Sequence, residues 1–168
     1  MRYLCIDLGD KRTGLAVGDA VTGLASPAGV LEVPVGANAG AELQRAIVKA
    51  IHQHGPGALV LGLPLNMDDT EGPRAKLVRA WGVRIGTLTG LKVHYQDERL
   101  TSADADWQMA RSGLTRGQKK AKRDALAAAT ILRDFLSTIP PPSPPPPRSP
   151  SPTLPPSPLP PPAPGAPV

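Results

Sequence analysis

Apolar residues fill most of Tyr3–Leu8 up to the turn pair Gly9-Asp10, and a second short run, Thr13–Val17, ends at Gly18-Asp19. A third, Val21–Val33, is interrupted at Ser26-Pro27. Short runs bounded by Gly, Asp and Pro predict strands, and three in succession with tight connections predict an antiparallel meander. The period then changes. Ala41, Leu43, Ile47, Val48 and Ile51 recur at helical spacing before Gly55-Pro56-Gly57. The continuous apolar run Ala58–Leu63 predicts a buried parallel strand. A helix is predicted from Pro73 to about Leu88, a fifth strand over Leu91–Tyr95, and further helices over Ser102–Ala110 and Ala121–Leu136. The order β-β-β-α-β-α-β-α-α predicts an α/β domain, a mixed sheet with helices on its faces.

Composition divides the chain before it refines this picture. From Pro140 to Val168 the sequence is almost wholly Pro, Ser and Ala, with one charge, Arg148. Such a segment buries too little apolar surface to offset its ordering entropy, so residues 140–168 are expected to be a disordered, polyproline-like tail. One globular domain is expected over residues 1–139. The net charge of +5 therefore falls almost entirely on that domain, a modest excess that suits a polyanionic partner. Cys5, the single cysteine, permits neither an intrachain disulfide nor a cysteine-built zinc site, and its apolar surroundings predict a small core residue. The chain shows no apolar stretch near the ~20 residues a membrane helix needs. Asp7 and Asp10 break up any signal-peptide hydrophobic region. The expected compartment is the cytoplasm, with no membrane partner.

Candidate chemistry lies in acids at unusual places. Asp7 stands inside the first strand, where a carboxylate is disfavoured by desolvation. Glu98 follows the fifth strand in Asp97-Glu98-Arg99-Leu100-Thr101, and Asp124 lies near the start of the last helix. In a sheet of this layout ligands bind beyond the carboxyl ends of parallel strands, where Asp7 and Glu98 could converge and a helix laid across the sheet could bring Asp124. Clustered carboxylates repel unless a cation joins them, and oxygen-only donors select Mg²⁺ or Mn²⁺. Two such ions can drive phosphodiester hydrolysis. Each acid has a plainer alternative: Asp7 as acceptor for the following turn, Glu98 as partner of Arg99, Asp124 as a solvated helix acid. Asp97 is an additional candidate ligand.

Beside Asp124 the chain carries Arg111, Arg116, Lys119, Lys120, Lys122 and Arg123, with no acid between Asp106 and Asp124. That run suits phosphate contacts along a nucleic-acid backbone, although a solvated loop and helix start would look the same. Cations in a first helical turn oppose the helix dipole, which favours a use for them. Few aromatic residues are present, so base stacking is not the expected binding mode.

Four segments together resemble the YqgF family, also called RuvX, of Holliday junction resolvase-like nucleases assigned to maturation of pre-16S ribosomal RNA. They are IDLGDKRTGLAVGD from Ile6, LVLGLPLNMDDTEGPRA from Leu59, VHYQDERLTSADA from Val93 and KKAKRDALAAATILRDFL from Lys119, in the family's order. The resemblance implies a ribonuclease H-like fold with a five-stranded mixed sheet. It also implies divalent-metal nuclease activity, hydrolysing phosphodiester bonds in structured nucleic acid. It assigns the catalytic and metal-binding acids to Asp7, Glu98 and Asp124, and places Arg12 where it could meet a phosphate. Gly62-Leu63-Pro64 matches the end of the fourth strand, with Asn66 lining the site. Arg12, Arg99, Lys119, Lys120, Lys122 and Arg123 are the expected nucleic-acid contacts. Gly18-Asp19 stands where the family carries Ser-Asp, and Asp69 where Gly is usual; both bear on loop shape.

The expected partner is precursor ribosomal RNA or branched DNA, with ribosomal particles as a further one, and the protein acting as monomer or homodimer. A non-catalytic RNA-binding assembly factor would use the same fold and basic face. A phosphotransferase is a third reading, since Asp7–Gly14 also resembles the phosphate hairpin of sugar kinases and actin-like ATPases. Those enzymes enclose nucleotide between two such domains, and residues 1–139 supply one.

Overall fold

A computed structural model of the chain describes residues 1–98 and 116–140. Its elements are β1 (Arg2–Leu8), β2 (Thr13–Asp19), β3 (Leu24–Leu31), a 3₁₀ turn (Ala37–Gly40), α1 (Ala41–His54), β4 (Ala58–Leu63), α2 (Pro73–Thr89), β5 (Lys92–Asp97) and α3 (Arg116–Thr138). The sheet order is β3-β2-β1-β4-β5. β1 pairs antiparallel with β2, and β2 with β3, while β1–β4 and β4–β5 are parallel. This is the expected meander followed by parallel strands, a five-stranded mixed sheet flanked by helices. The expected helix over Ser102–Ala110, and the tail beyond Pro140, lie outside the described residues.

β4 is buried along its whole length, as a parallel strand covered on both faces must be. β3 is the partly exposed edge strand and tolerates Pro27 there. Its register with β2 shifts between Leu15 and Ala16, so the interruption seen in the sequence is a bulge.

The pleat of β1 divides its side chains between two cores. Leu4, Ile6 and Leu8 join Leu15, Leu59, Leu61 and Leu63 under α1 and α2, which supply Leu43, Ile47, Val78, Trp81 and Ile85. Tyr3 and Cys5 face the other way, with Ala16, Ala58 and Val60, under Ala128, Ile131, Leu132, Phe135 and Leu136 of α3. Tyr3 meets the Phe135 ring edge-on with centroids 5.4 Å apart. Each large aliphatic side chain so buried contributes about 1.5–3 kcal/mol.

α1 and α2 end at Gly55 and Gly90, whose left-handed backbones return N–H groups to Ile51 and Gly86. α3 begins at Arg116, earlier than the expected Ala121. The cationic run from Arg116 to Arg123 is thus part of the helix, not a loop leading into it.

Candidate active site

Alternation along β1 sends Asp7 to the α3 face, next in line after Tyr3 and Cys5. Its neighbour on β2 is Gly14, by direct pairing. On the other side, continuing the Ile6–Leu61 pairing by one step brings Asp7 level with Gly62 of β4.

Both glycines are covered by an acid-bearing segment. A Cβ built on Gly14 would lie 2.1 Å from the Asp124 carbonyl oxygen, so β2 can pass beneath α3 only without a side chain there. A Cβ on Gly62 would lie 2.7 Å from Glu98 Oε1 and 2.9 Å from Ile131 Cδ1. Asp7 therefore lies between two glycine floors, one roofed by Asp124 and the other by Glu98. Glu98 reaches this position because β5 ends at Asp97 and pairs there with Leu63.

Electrostatics record the same convergence. Asp7 is pushed up to about 6, first by burial and then by the negative charge of Asp124, against the pull of Arg74. Glu98 is pushed up to about 7 by burial and then by Asp7, with Arg74 opposing and Asp97 adding to the rise. Beneath them, burial and then the charges of Asp7 and Glu98 hold the Cys5 thiol well above its usual range. Cys5 is wholly buried, the core residue expected.

The cations are arranged around the turn between β1 and β2. Arg12 Nε lies 3.1 Å from Asp124 Oδ2, with both side chains mostly covered. Arg74, in the first turn of α2, donates to the Leu8 carbonyl and to the Asp10 carboxylate. Arg74 was not anticipated from the sequence. Its signal was present, since it is the one cation in the segment from Leu59 to Ala75 and sits at a helix start, where the dipole disfavours it. Lys122 and Arg123 are exposed on α3. Lys119 and Lys120 lie in α3 with side chains outside the described part, and Arg99 is outside the described residues.

Asn66 is tied into the loop after β4. Its amide donates to Thr70 Oγ1 at 2.9 Å, and its backbone N–H donates to the Thr70 carbonyl. Asp69 adopts φ +65°, which accounts for the glycine usual at that position in the resembling family.

A hard divalent cation fits the donor chemistry, because Asp7, Glu98 and Asp124 offer only oxygen, and burial first and then repulsion from a neighbouring acid raise two of them. The side chains are not yet a finished ligand set. Among the described residues no three His, Cys, Asp or Glu groups are gathered closely enough to hold a metal, and Asp124 is turned to Arg12. No helix among the described residues is long and apolar enough to cross a membrane.

Sheet order and helix placement define a protein of ribonuclease H-like fold. Two solved structures share the fold. Thermus thermophilus RuvC in complex with a Holliday junction substrate gives TM-score 0.52 at 17% identity, covering 82% of this chain and 97% of that one. Fowlpox virus resolvase with Holliday junction DNA gives 0.51 at 11%, covering 81% and 99%. The chain belongs to the RuvX family, described as Holliday junction resolvase, whose profile matches residues 1–138. Relatives carrying the name "putative pre-16S rRNA nuclease" are 42% identical in Opitutus terrae, over 86% of this chain and 97% of that protein. They are 38% identical in Anaeromyxobacter sp. (81% and 96%) and 36% in Lactococcus lactis (80% and 93%).

Proposed function

We propose that the protein is a divalent-metal-dependent nuclease acting on structured nucleic acid, and that its substrate is the 5′ end of pre-16S ribosomal RNA. One observation carries the reading: Asp7 lies between two glycine floors roofed by the Asp124 segment and by Glu98, with its carboxyl raised to about 6. A fold gains nothing in stability from setting Asp7 between Glu98 and the Asp124 segment, where burial and then a neighbouring carboxylate raise both Asp7 and Glu98. Relatives named for pre-16S rRNA support the choice of substrate.

In this reading Asp7, Glu98 and Asp124 would hold Mg²⁺ or Mn²⁺, which when bound would supply water activation and charge neutralisation for phosphodiester hydrolysis. Gly14 and Gly62 let the acid-bearing segments approach the sheet. Arg74 holds the end of β1 and Asp10 in place and lowers the cost of the neighbouring negative charge. Arg12, Arg99, Lys119, Lys120, Lys122 and Arg123 neutralise the substrate backbone. The compartment that goes with this substrate is the cytoplasm, and ribosomal particles are the expected partner.

The test is Mn²⁺-dependent cleavage of a structured RNA carrying the pre-16S 5′ region, with a four-way DNA junction in parallel. Native protein should cleave the RNA, and Asp7→Asn should be slower by about 10²–10³-fold or more. Equal cleavage by both would defeat the carboxylate mechanism. Cleavage of the junction alone would give the resolvase reading, which the family description favours. Binding without cleavage by either protein would give a non-catalytic assembly factor.

A further inference from the structure

The cavity between the β1–β2 turn and the start of α3 has a volume of about 290 Å³ and is lined by Gly9, Asp10, Lys11, Arg12 and Asp124. It contains the Arg12–Asp124 ion pair itself. From this juxtaposition we infer that Arg12 is a latch on Asp124, released when a substrate phosphate enters this cavity and takes over the guanidinium. The inference rests on the metal-nuclease reading above and deepens it, because it makes phosphate binding and metal binding one coupled event.

Arg12 Nε holds Asp124 Oδ2 at 3.1 Å, and the pair is neither sealed nor free, at 17% and 28% side-chain exposure. A phosphate entering the cavity would meet Arg12 and Lys11 together, and the opposing carboxylate of Asp10 is already paired with Arg74. A guanidinium binds phosphate as readily as carboxylate, through the same fork of donors. The exchange leaves Asp124 with an unpaired charge next to Asp7, whose carboxyl already feels it. A divalent cation held between the two acids would relieve both.

The tightness of the surroundings explains why the exchange is local. A Cβ on Gly9 would lie 2.2 Å from the Arg12 carbonyl oxygen, so the turn is closed on itself. The Asp124 backbone is set directly on Gly14. At these two positions the backbone is held, and the exchange falls to the Arg12 and Asp124 side chains. Nucleic acid and metal should then each strengthen the other's binding by the same factor, as linkage requires.

The experiment measures Mn²⁺ affinity of the full chain by the electron spin resonance of free Mn²⁺. It is run with and without a cleavage-resistant phosphorothioate oligonucleotide, after subtracting the Mn²⁺ that the oligonucleotide takes up alone. The native protein should bind Mn²⁺ at least about fivefold more tightly with the oligonucleotide. Arg12→Ala should bind Mn²⁺ more tightly than native protein without oligonucleotide and lose most of the enhancement. Arg12→Lys, which keeps the charge, guards against a folding defect and should lie between them. In an Asp124→Asn background Arg12→Ala should no longer change Mn²⁺ affinity. Mn²⁺ binding that is indifferent both to Arg12 and to the oligonucleotide overturns the latch and leaves the metal site standing. No Mn²⁺ binding in either condition overturns the metal reading and the latch with it.

Discussion

On one face of the sheet Leu4, Ile6 and Leu8 run unbroken into the core beneath α1 and α2; on the other, Tyr3 and Cys5 are followed by Asp7. The same strand supplies both rows, and its pleat alone decides which residue belongs to which. The first face is closed with large aliphatic side chains from helices of ordinary amphipathic pattern. The second is closed by one helix rich in alanine that comes down onto Gly14 and Gly62. Small residues there bring α3 close enough to carry Asp124 to the sheet and leave room for Glu98. One face is thus built for cohesion and the other for proximity, at a cost in buried carboxylates.

The sharpest way to break that contrast is to put a methyl group on each glycine floor. In Gly14→Ala the new Cβ meets backbone, the Asp124 carbonyl, which cannot yield without moving the helix. The expected loss is about 3 kcal/mol or more, read as a fall in the denaturant midpoint. In Gly62→Ala it meets the ends of the Glu98 and Ile131 side chains, which can turn aside. Stability should fall by about 1 kcal/mol, with cleavage falling far more because Glu98 is displaced. Equal stability losses in the two variants would show that α3 is not seated on β2 as described.

Next in size is the pH dependence set by the second face. Asp7 has a folded value of about 6 against an ordinary 3.8, and Glu98 about 7 against 4.5. Between those limits the folded protein binds more protons than the unfolded chain, so these groups make stability fall as pH rises. Their destabilisation is absent below about pH 4 and complete above about pH 7. Asp7→Asn removes its own share of it, together with the charge by which Asp7 raises Glu98, and should be more stable than native protein by about 1–3 kcal/mol at pH 8 without divalent metal. The gap should close as pH is lowered toward 4. Urea titrations of the two proteins at several pH values measure it, and a variant less stable at pH 8 would mean that Asp7 is held by hydrogen bonds instead of strained by burial.

Much of this division was legible before the structure. Period-2 alternation and the glycine-bounded run Ala58–Leu63 identified the central strands, and an acid inside such a strand identified Asp7. Glu98 was read as following a fifth strand expected over Leu91–Tyr95, whereas β5 runs from Lys92 to Asp97; the family resemblance, more than the strand end, singled out Glu98. The start of α3 was set too late although Thr115-Arg116-Gly117-Gln118 has the spacing of a capping box, because Gly117 and the run of cations after it are both unfavourable in a first turn. Arg74 was missed for a different reason. Its role depends on α2 delivering its first turn to the end of β1, a contact across more than sixty positions of sequence. The two glycine floors were equally silent, since a glycine in a strand signals a close approach without naming what approaches.

The smallest effect concerns a flaw in the otherwise closed face. Thr13 pairs with Leu8 and so faces the α1–α2 core, fully buried, and its Oγ1 has no hydrogen-bond partner among the described residues. A hydroxyl buried without a partner costs free energy that an isosteric methyl does not. Thr13→Val should therefore stabilise the protein by about 1 kcal/mol, a rise of roughly 3 °C in Tm. It should leave cleavage unchanged, because Thr13 points away from Asp7. A gain in stability with full activity would mark the aliphatic face as cohesion alone. If activity falls while Tm rises, the hydroxyl carries information across the sheet to the acids, and the two faces are less independent than their packing implies.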